Sequence, residues 1–96
     1  MALGMYFSPS SFTPDTYDTV IKRLDAEGAG APPGRLYHFA LEWEGNIHVF
    51  DIWDSEKSFQ EFGSTLIPTL TAAGVDPGQP QVSPIHNIIE GENRGR

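Results

Sequence analysis

The side chains that could carry chemistry are histidines and a carboxylate in strand-like surroundings. His38 and Asp51 fall in stretches whose residues alternate in polarity, and His86 lies near the end of the chain. A histidine titrates near neutrality, which makes it the usual general base for removing a phenolic proton. A carboxylate buried in a strand is costly unless it is paired, and in one strand register His38 is the nearest cross-strand candidate for Asp51. We therefore predict His38, His86 and Asp51 as catalytic candidates; in the alternative interpretation they only form hydrogen bonds within the sheet.

A metal site is the second use for these residue types. Imidazole and carboxylate ligate zinc and iron, so His38, His48 and His86 would form a site with Asp51 or Glu42 if they converged. No pair of histidines has the i, i+4 spacing of a helix or the i, i+2 spacing of a strand. The chain also has no cysteine to supply a thiolate. We expect no metal site.

Length and composition indicate one small globular domain. The chain has 96 residues, of which 39% are hydrophobic, which is too apolar for a disordered protein. Its formal charge of -7 repels phosphate backbones and anionic lipid, so we expect neither nucleic acid nor a membrane as partner. The start of the chain lacks a basic segment and an apolar run long enough for a signal peptide. With no cysteine, these features predict a cytoplasmic protein.

The first half of the chain predicts a strand, a helix and a hairpin. Met1–Phe7 is a short apolar run typical of a buried strand. Thr13 is expected to cap a helix, because Pro14 follows it at the first helical position. The inward face of that helix comprises Tyr17, Val20, Ile21 and Leu24. Strands over Leu36–Trp43 and Ile47–Trp53 are expected to pair through a tight turn at the corner of Gly45 and Asn46.

The second half predicts another helix and a closing strand. Ser55 or Asp54 is expected to cap the helix, which Gly63 and Pro68 would break or kink. Its inward face comprises Phe59, Phe62, Leu66 and Leu70. A last strand is predicted over Gln81–Ile89, with Pro84 favouring an edge. We predict one domain over residues 1–90 and a flexible C-terminal tail over residues 91–96.

This order of elements predicts an α+β protein with a ferredoxin-like split βαβ fold (βαββαβ). Such a fold has a four-stranded antiparallel sheet with both helices on one face. If the hairpin has a two-residue turn, one face carries Phe39, Leu41, Trp43, His48, Phe50 and Ile52, and the other carries His38, Ala40, Glu42, Val49, Asp51 and Trp53. A three-residue turn would exchange these faces. The first set would form an apolar surface on the helix-free side, where a second copy of the chain would most simply cover it. We therefore predict a homodimer.

The same features resemble a known group of proteins. The element order, the strand end Asp51-Ile52-Trp53 leading into Asp54–Phe59, and the closing Pro84–Asn87 are similar to the dimeric α/β-barrel superfamily, in particular its small antibiotic-biosynthesis-monooxygenase-like members. The resemblance implies a barrel closed across the dimer and a pocket between each sheet and its helices. It also implies a set of ligand-binding side chains, namely Trp53, Phe59, Phe62 and Asn87. Members of the group include cofactor-independent quinol or anthrone monooxygenases and haem-degrading enzymes.

Trp53 matches the position at which the haem-degrading members carry a tryptophan that packs on the porphyrin. Those members also use a histidine of the second helix as iron ligand and an asparagine of the first strand. Here Ser58–Leu70 contains no histidine, and the first strand has Gly4 and no asparagine. We therefore expect neither haem nor another cofactor. In the alternative interpretation Trp53 is a core aromatic residue where the strand meets the helix.

Two functional hypotheses result from the sequence. In the first, the protein binds a small apolar, aromatic or polyketide-like molecule and oxidises it with dioxygen as a cofactor-independent monooxygenase. His38 or His86 would take the phenolic proton, the carbanion would reduce dioxygen, and Trp53, Phe59 and Phe62 would exclude water. In the second, the protein is a non-catalytic ligand-binding or stress-associated barrel. A tyrosine could also contact a ligand, but Tyr17 fits a core position of its helix and we assign it to the core.

Overall fold

A computed structural model describes residues 2–91, and its elements follow the predicted order. They are β1 (Leu3–Phe7), α1 (Pro14–Ala26), β2 (Arg35–Trp43), β3 (Asn46–Trp53), α2 (Glu56–Ala72) and β4 (Gln81–Pro84). The strands form one antiparallel sheet in the order β2-β3-β1-β4. This is the predicted ferredoxin-like βαββαβ fold. Met1, assigned to the first strand, and residues 92–96, assigned to the tail, lie outside the described residues.

Both helices begin at the predicted caps. The Thr13 side chain accepts a hydrogen bond from the Thr16 amide at 3.2 Å, and the Ser55 side chain accepts one from the Ser58 amide at 3.2 Å. The predicted break in the second helix is wrong, since α2 continues through Gly63 and Pro68. The Phe62, Thr69 and Leu70 side chains are buried on both sides of the proline, and this packing outweighs its local cost.

The β2–β3 hairpin has a two-residue turn, displaced by one position from the predicted corner. Trp43 pairs with Asn46, which leaves Glu44 and Gly45 in the turn with φ angles of 52° and 82°. Positive φ at both positions is typical of the tight turns that match the twist of a hairpin. The number of turn residues is the predicted one, so the predicted faces are confirmed. His38 lies opposite Asp51.

An irregularity at the start of β2 changes which face Arg35 occupies. Arg35 pairs with Trp53 and Tyr37 pairs with Ile52, so that Leu36 is an extra residue in β2. Such a bulge reverses the alternation of side chains on one side of it. Arg35 therefore shares the helix-covered face with His38, although the two are three positions apart.

The core lies between the sheet and both helices. Its buried members include Met5, Val20, Leu24, Val49, Trp53, Phe62 and Leu70. The opposite sheet face is uncovered by helices, and we call its apolar part the open face; Phe39, Leu41 and Trp43 are exposed there, and Phe50 and Ile52 are half-buried. Leu41 is 51% exposed and Trp43 is 65% exposed. No helix in the described part of the chain is long and apolar enough to cross a membrane.

The closing strand is shorter than predicted. It ends at Pro84 and not at Ile89, because its partner β1 begins at Leu3 and leaves little backbone to pair with. The chain then turns over the sheet: a Cβ on Gly4 would lie 2.8 Å from Ile85 Cδ1. Further along, residues 88–91 line a surface hollow with Tyr37, Phe39 and Ile52. His86, which we predicted within this strand, therefore lies beyond it and is exposed.

Candidate functional site

A chain of hydrogen bonds runs from α1 across the helix-covered face of the sheet. Asp51 Oδ1 lies 2.6 Å from His38 Nδ1, and Asp51 Oδ2 accepts a hydrogen bond from the Trp53 indole at 3.3 Å. The Tyr17 hydroxyl lies 2.7 Å from His38 Nε2. An ionised carboxylate only accepts, so His38 Nδ1–H donates to Asp51, and in the neutral imidazole the remaining ring nitrogen accepts from Tyr17. Asp51 thus fixes the tautomer in which His38 Nε2 is basic.

Burial determines how the members of this chain are charged. Asp51 is 6% exposed, and the two donors it receives offset the cost of keeping a carboxylate there. Burial raises the pKa of Tyr17. The charge of Arg35 makes a smaller contribution that lowers this pKa, and the charges of Asp51 and Asp18 make smaller contributions that raise it. The phenol therefore stays protonated at neutral pH and donates to His38.

These polar groups line a cavity between the sheet and its helices. The cavity has a volume of about 60 Å³ and is lined by Tyr17, Arg35, His38 and Asp51 among apolar side chains. The loops before α1 and after α2 contribute Pro9, Phe12 and Pro77. Such a volume holds a few water molecules, whereas pockets for drug-sized ligands measure roughly 300–1,000 Å³. A ring-sized ligand therefore requires these loops or helices to move outward.

The structure brings together only some of the predicted site residues. His38, Asp51 and Phe62 line the cavity, and Trp53 supports it from behind through its bond to Asp51. Phe59 packs edge-on against Trp53 at a ring distance of 5.6 Å and does not line the cavity. His86 and Asn87 follow β4, are exposed and do not line it either.

Tyr17 and Arg35 are the polar cavity residues that the sequence analysis does not place in the site. Tyr17 belongs to the apolar stripe of α1, and only its hydroxyl distinguishes it from its core neighbours. The bulge that turns Arg35 inward leaves no clear mark in the sequence. Among residues 2–91, no three His, Asp or Glu side chains are placed to hold a metal ion.

The raised pKa of Tyr17 predicts a loss of stability at high pH. Above the ordinary value of 10.0 the unfolded chain releases a proton that the folded protein retains, so unfolding becomes easier as the pH rises. We expect Tyr17→Phe to be less stable than wild type at neutral pH, by about 1 kcal/mol for the lost hydrogen bond, but to lose less stability above pH 10. Urea denaturation below and above that pH measures both effects.

Tyr37→Phe should be measured beside it, because the Glu90 side chain raises the pKa of the exposed Tyr37 and so contributes to the same alkaline loss of stability. An alkaline loss of stability that is unchanged in Tyr17→Phe would show that Tyr17 is not its source.

Haem is expected not to bind at this site as it does in the haem-degrading proteins. The inward side chains of α2 that face the cavity are Phe62, Leu66 and Leu70, none of which can ligate iron. Titration with haem should give no sharp shift of the Soret band at stoichiometric ratio. A tight complex with a distinct spectrum that is lost in His86→Ala would show that a residue outside α2 supplies the ligand.

Comparison with solved structures shows that the fold is shared with a group of small proteins. A candidate antibiotic biosynthesis monooxygenase from Chloroflexus aurantiacus J-10-fl superimposes with a TM-score of 0.61 and 18% identity, covering 99% of this chain and 100% of the other. SnoaB, a cofactor-independent oxygenase from Streptomyces nogalater, superimposes with a TM-score of 0.61 and 18% identity, covering 94% and 96%. A further candidate antibiotic biosynthesis monooxygenase, from Deinococcus radiodurans, superimposes with a TM-score of 0.60 and 12% identity, covering 97% of this chain and 100% of the other.

The sequence itself gives no such match. No family model matches it, and no curated protein matches it significantly. At identities this low, the structural comparisons establish the ferredoxin-like fold of these proteins and leave the chemistry to the side chains of the cavity.

Proposed function

We propose that the protein is a homodimer in which each protomer binds a small aromatic molecule between sheet and helices and oxidises it with dioxygen without a bound cofactor. The observation that carries this proposal is the buried chain from Asp51 through His38 to Tyr17, which lines the cavity. Asp51 prepares His38 Nε2 as a base and would stabilise the imidazolium formed on proton uptake. SnoaB shares the fold and is a cofactor-independent oxygenase, which supports this chemistry by analogy.

The proton would reach His38 through Tyr17. Because His38 Nε2 already accepts the Tyr17 hydrogen, a substrate hydroxyl would transfer its proton toward His38 by donating to the Tyr17 oxygen. Transfer of the substrate proton to Tyr17 and of the Tyr17 proton to His38 leaves the electron pair on the substrate, which becomes a carbanion by delocalisation. Its carbon would bond to dioxygen, and the resulting peroxide would take up the proton and lose water, leaving a carbonyl. Dioxygen is thereby reduced and a CH₂ group is oxidised to C=O.

The open face supports the dimer. Its aromatic side chains are stacked in one layer, with Phe50 lying 4.9 Å from Phe39 and 4.8 Å from Tyr6 between ring centres. An exposed apolar layer of this kind is unusual on a protein that stays monomeric. A second copy presents the same layer, so an isologous contact would cover both at once.

A non-catalytic barrel is the rival function, and two observations favour it. The cavity of about 60 Å³ admits no ring without movement, and the hydrogen bonds of His38 and Asp51 are satisfied within the protein. In that case the polar chain would only fix the packing of α1 on the sheet. Oxygen uptake with a hydroxylated naphthalene or an anthrone, measured for wild type and His38→Ala, distinguishes the two functions.

A further inference from the structure

Arg35 is the cationic side chain of the cavity lining, and most of its hydrogen-bonding capacity is unused. A guanidinium has five N–H donors. In the described residues the Arg35 guanidinium makes one hydrogen bond, from Nη2 to the Gly30 carbonyl at 2.9 Å, and no carboxylate of residues 2–91 forms an ion pair with it. A partly buried cation with free donors is costly unless an anion joins it.

Arg35 is also held in place. The bulge at Leu36 turns it onto the helix-covered face, and its guanidinium lies 5.9 Å from the centre of the Phe62 ring. Together with the bond to Gly30, these contacts restrict the guanidinium before any ligand enters. The free donors therefore form a prepared site and not a mobile surface charge.

The field of Arg35 reaches the oxygen at which a substrate would lose its proton. Burial raises the pKa of Tyr17 overall, and the charges of Asp51 and Asp18 add to that rise. The charge of Arg35 is the one contribution that lowers it, so the guanidinium is the group that favours negative charge at the Tyr17 hydroxyl. A substrate oxygen that donates to Tyr17 would occupy the same part of the cavity.

We propose that Arg35 and Tyr17 form an anion-binding site that takes phenols and enols in their ionised form. When the substrate enters as a neutral phenol or enol, its O–H bond breaks in the site, the proton passes through Tyr17 to His38 Nε2, and the electron pair stays on the substrate oxygen. That oxygen then accepts hydrogen bonds from the Arg35 guanidinium and from Tyr17, which has received the substrate hydrogen. This deepens the proposed function by naming its substrate class as acidic ring hydroxyls, and binding of the anion requires no oxidation.

A nitrophenol is a suitable probe, because its anion and its neutral form differ in colour. Titrating the absorbance of 4-nitrophenol with pH, alone and with excess protein, gives the pKa of the free and the bound probe. We expect the bound probe to have the lower pKa in the wild type. Arg35→Gln should abolish this decrease and weaken anion binding by about 10- to 100-fold, the effect of one charge-assisted hydrogen bond. Arg35→Lys should keep part of the decrease.

Arg23→Gln is the matched control, since Arg23 is exposed in the last turn of α1 and does not line the cavity. This variant should bind the probe as the wild type does. The anion site would be overturned if the pKa of the bound probe fell as far in Arg35→Gln as in the wild type. It would also be overturned if the wild type bound only the neutral probe or did not bind the probe at all. If the probe binds as its anion but no substrate supports oxygen uptake, the anion site stands and the oxidation fails. If oxygen uptake depends on His38 but Arg35→Gln binds the probe as the wild type does, the anion site is wrong and the proposed oxidation still stands.

Discussion

Replacing Leu41 by aspartate is expected to convert the protein from a dimer to a monomer. Leu41 lies opposite His48 in the hairpin, between Phe39 and Trp43 on the open face, and is 51% exposed in the protomer. In an isologous contact the new carboxylate would be buried twice, once from each copy. The penalty of several kcal/mol for each unpaired charge exceeds what the rim of such an interface supplies. Light scattering at micromolar concentration measures the change in mass.

Ile67→Asp provides the matched control for this experiment. Ile67 is an apolar residue of α2 with a similar exposure of 45%, but it lies on the helix side of the molecule. The control should remain dimeric. A wild type that runs as a monomer, or a Leu41→Asp variant that stays dimeric, would show that the open face does not join two copies.

The hairpin shows why most of the fold could be predicted. Alternation of side chains has a period of two, so a two-residue turn sets the face of every residue in both strands. The turn lies one position earlier than predicted, at Glu44 and Gly45, which moves the partner of each residue by two positions. His38 and Asp51 still share a face because the number of turn residues was right. The end of β4 could not be predicted in this way, because it depends on where its partner β1 begins.

The candidate site was predictable only within the sheet. The alternation of the hairpin places His38 and Asp51 on one face, and the observed register brings them into contact. Tyr17 reaches His38 only because of how α1 rotates and packs on the sheet, and no local pattern encodes that contact. Arg35 enters the cavity through the bulge at Leu36. The predicted involvement of His86 assumed a longer closing strand than the protein has.

His38→Ala is expected to reduce turnover by about 100- to 10,000-fold, the range that a general base contributes. It should also cost about 1–3 kcal/mol of stability, because the buried Asp51 carboxylate keeps only the indole donor of Trp53. A purely structural histidine would cause the same loss of stability. Turnover per folded molecule, and not stability, therefore separates the catalytic role from the structural one. His86→Ala is expected to keep the turnover and the stability of the wild type, since the exposed His86 does not line the cavity.

Each rate should be divided by the folded fraction of the variant, which urea denaturation under the same conditions measures. Tyr17→Phe adds a further test, because it removes the hydroxyl through which the proton would reach His38. We expect its turnover to fall while His38 and Asp51 remain paired.

Oxygen consumption by wild type and His38→Ala with a hydroxylated naphthalene or an anthrone tests the proposed base most directly. We expect the wild type to consume dioxygen and to form the carbonyl product, and His38→Ala to consume almost none per folded molecule. A wild type that consumes no dioxygen with any electron-rich phenol, or a His38→Ala variant that retains turnover, would contradict the proposed function.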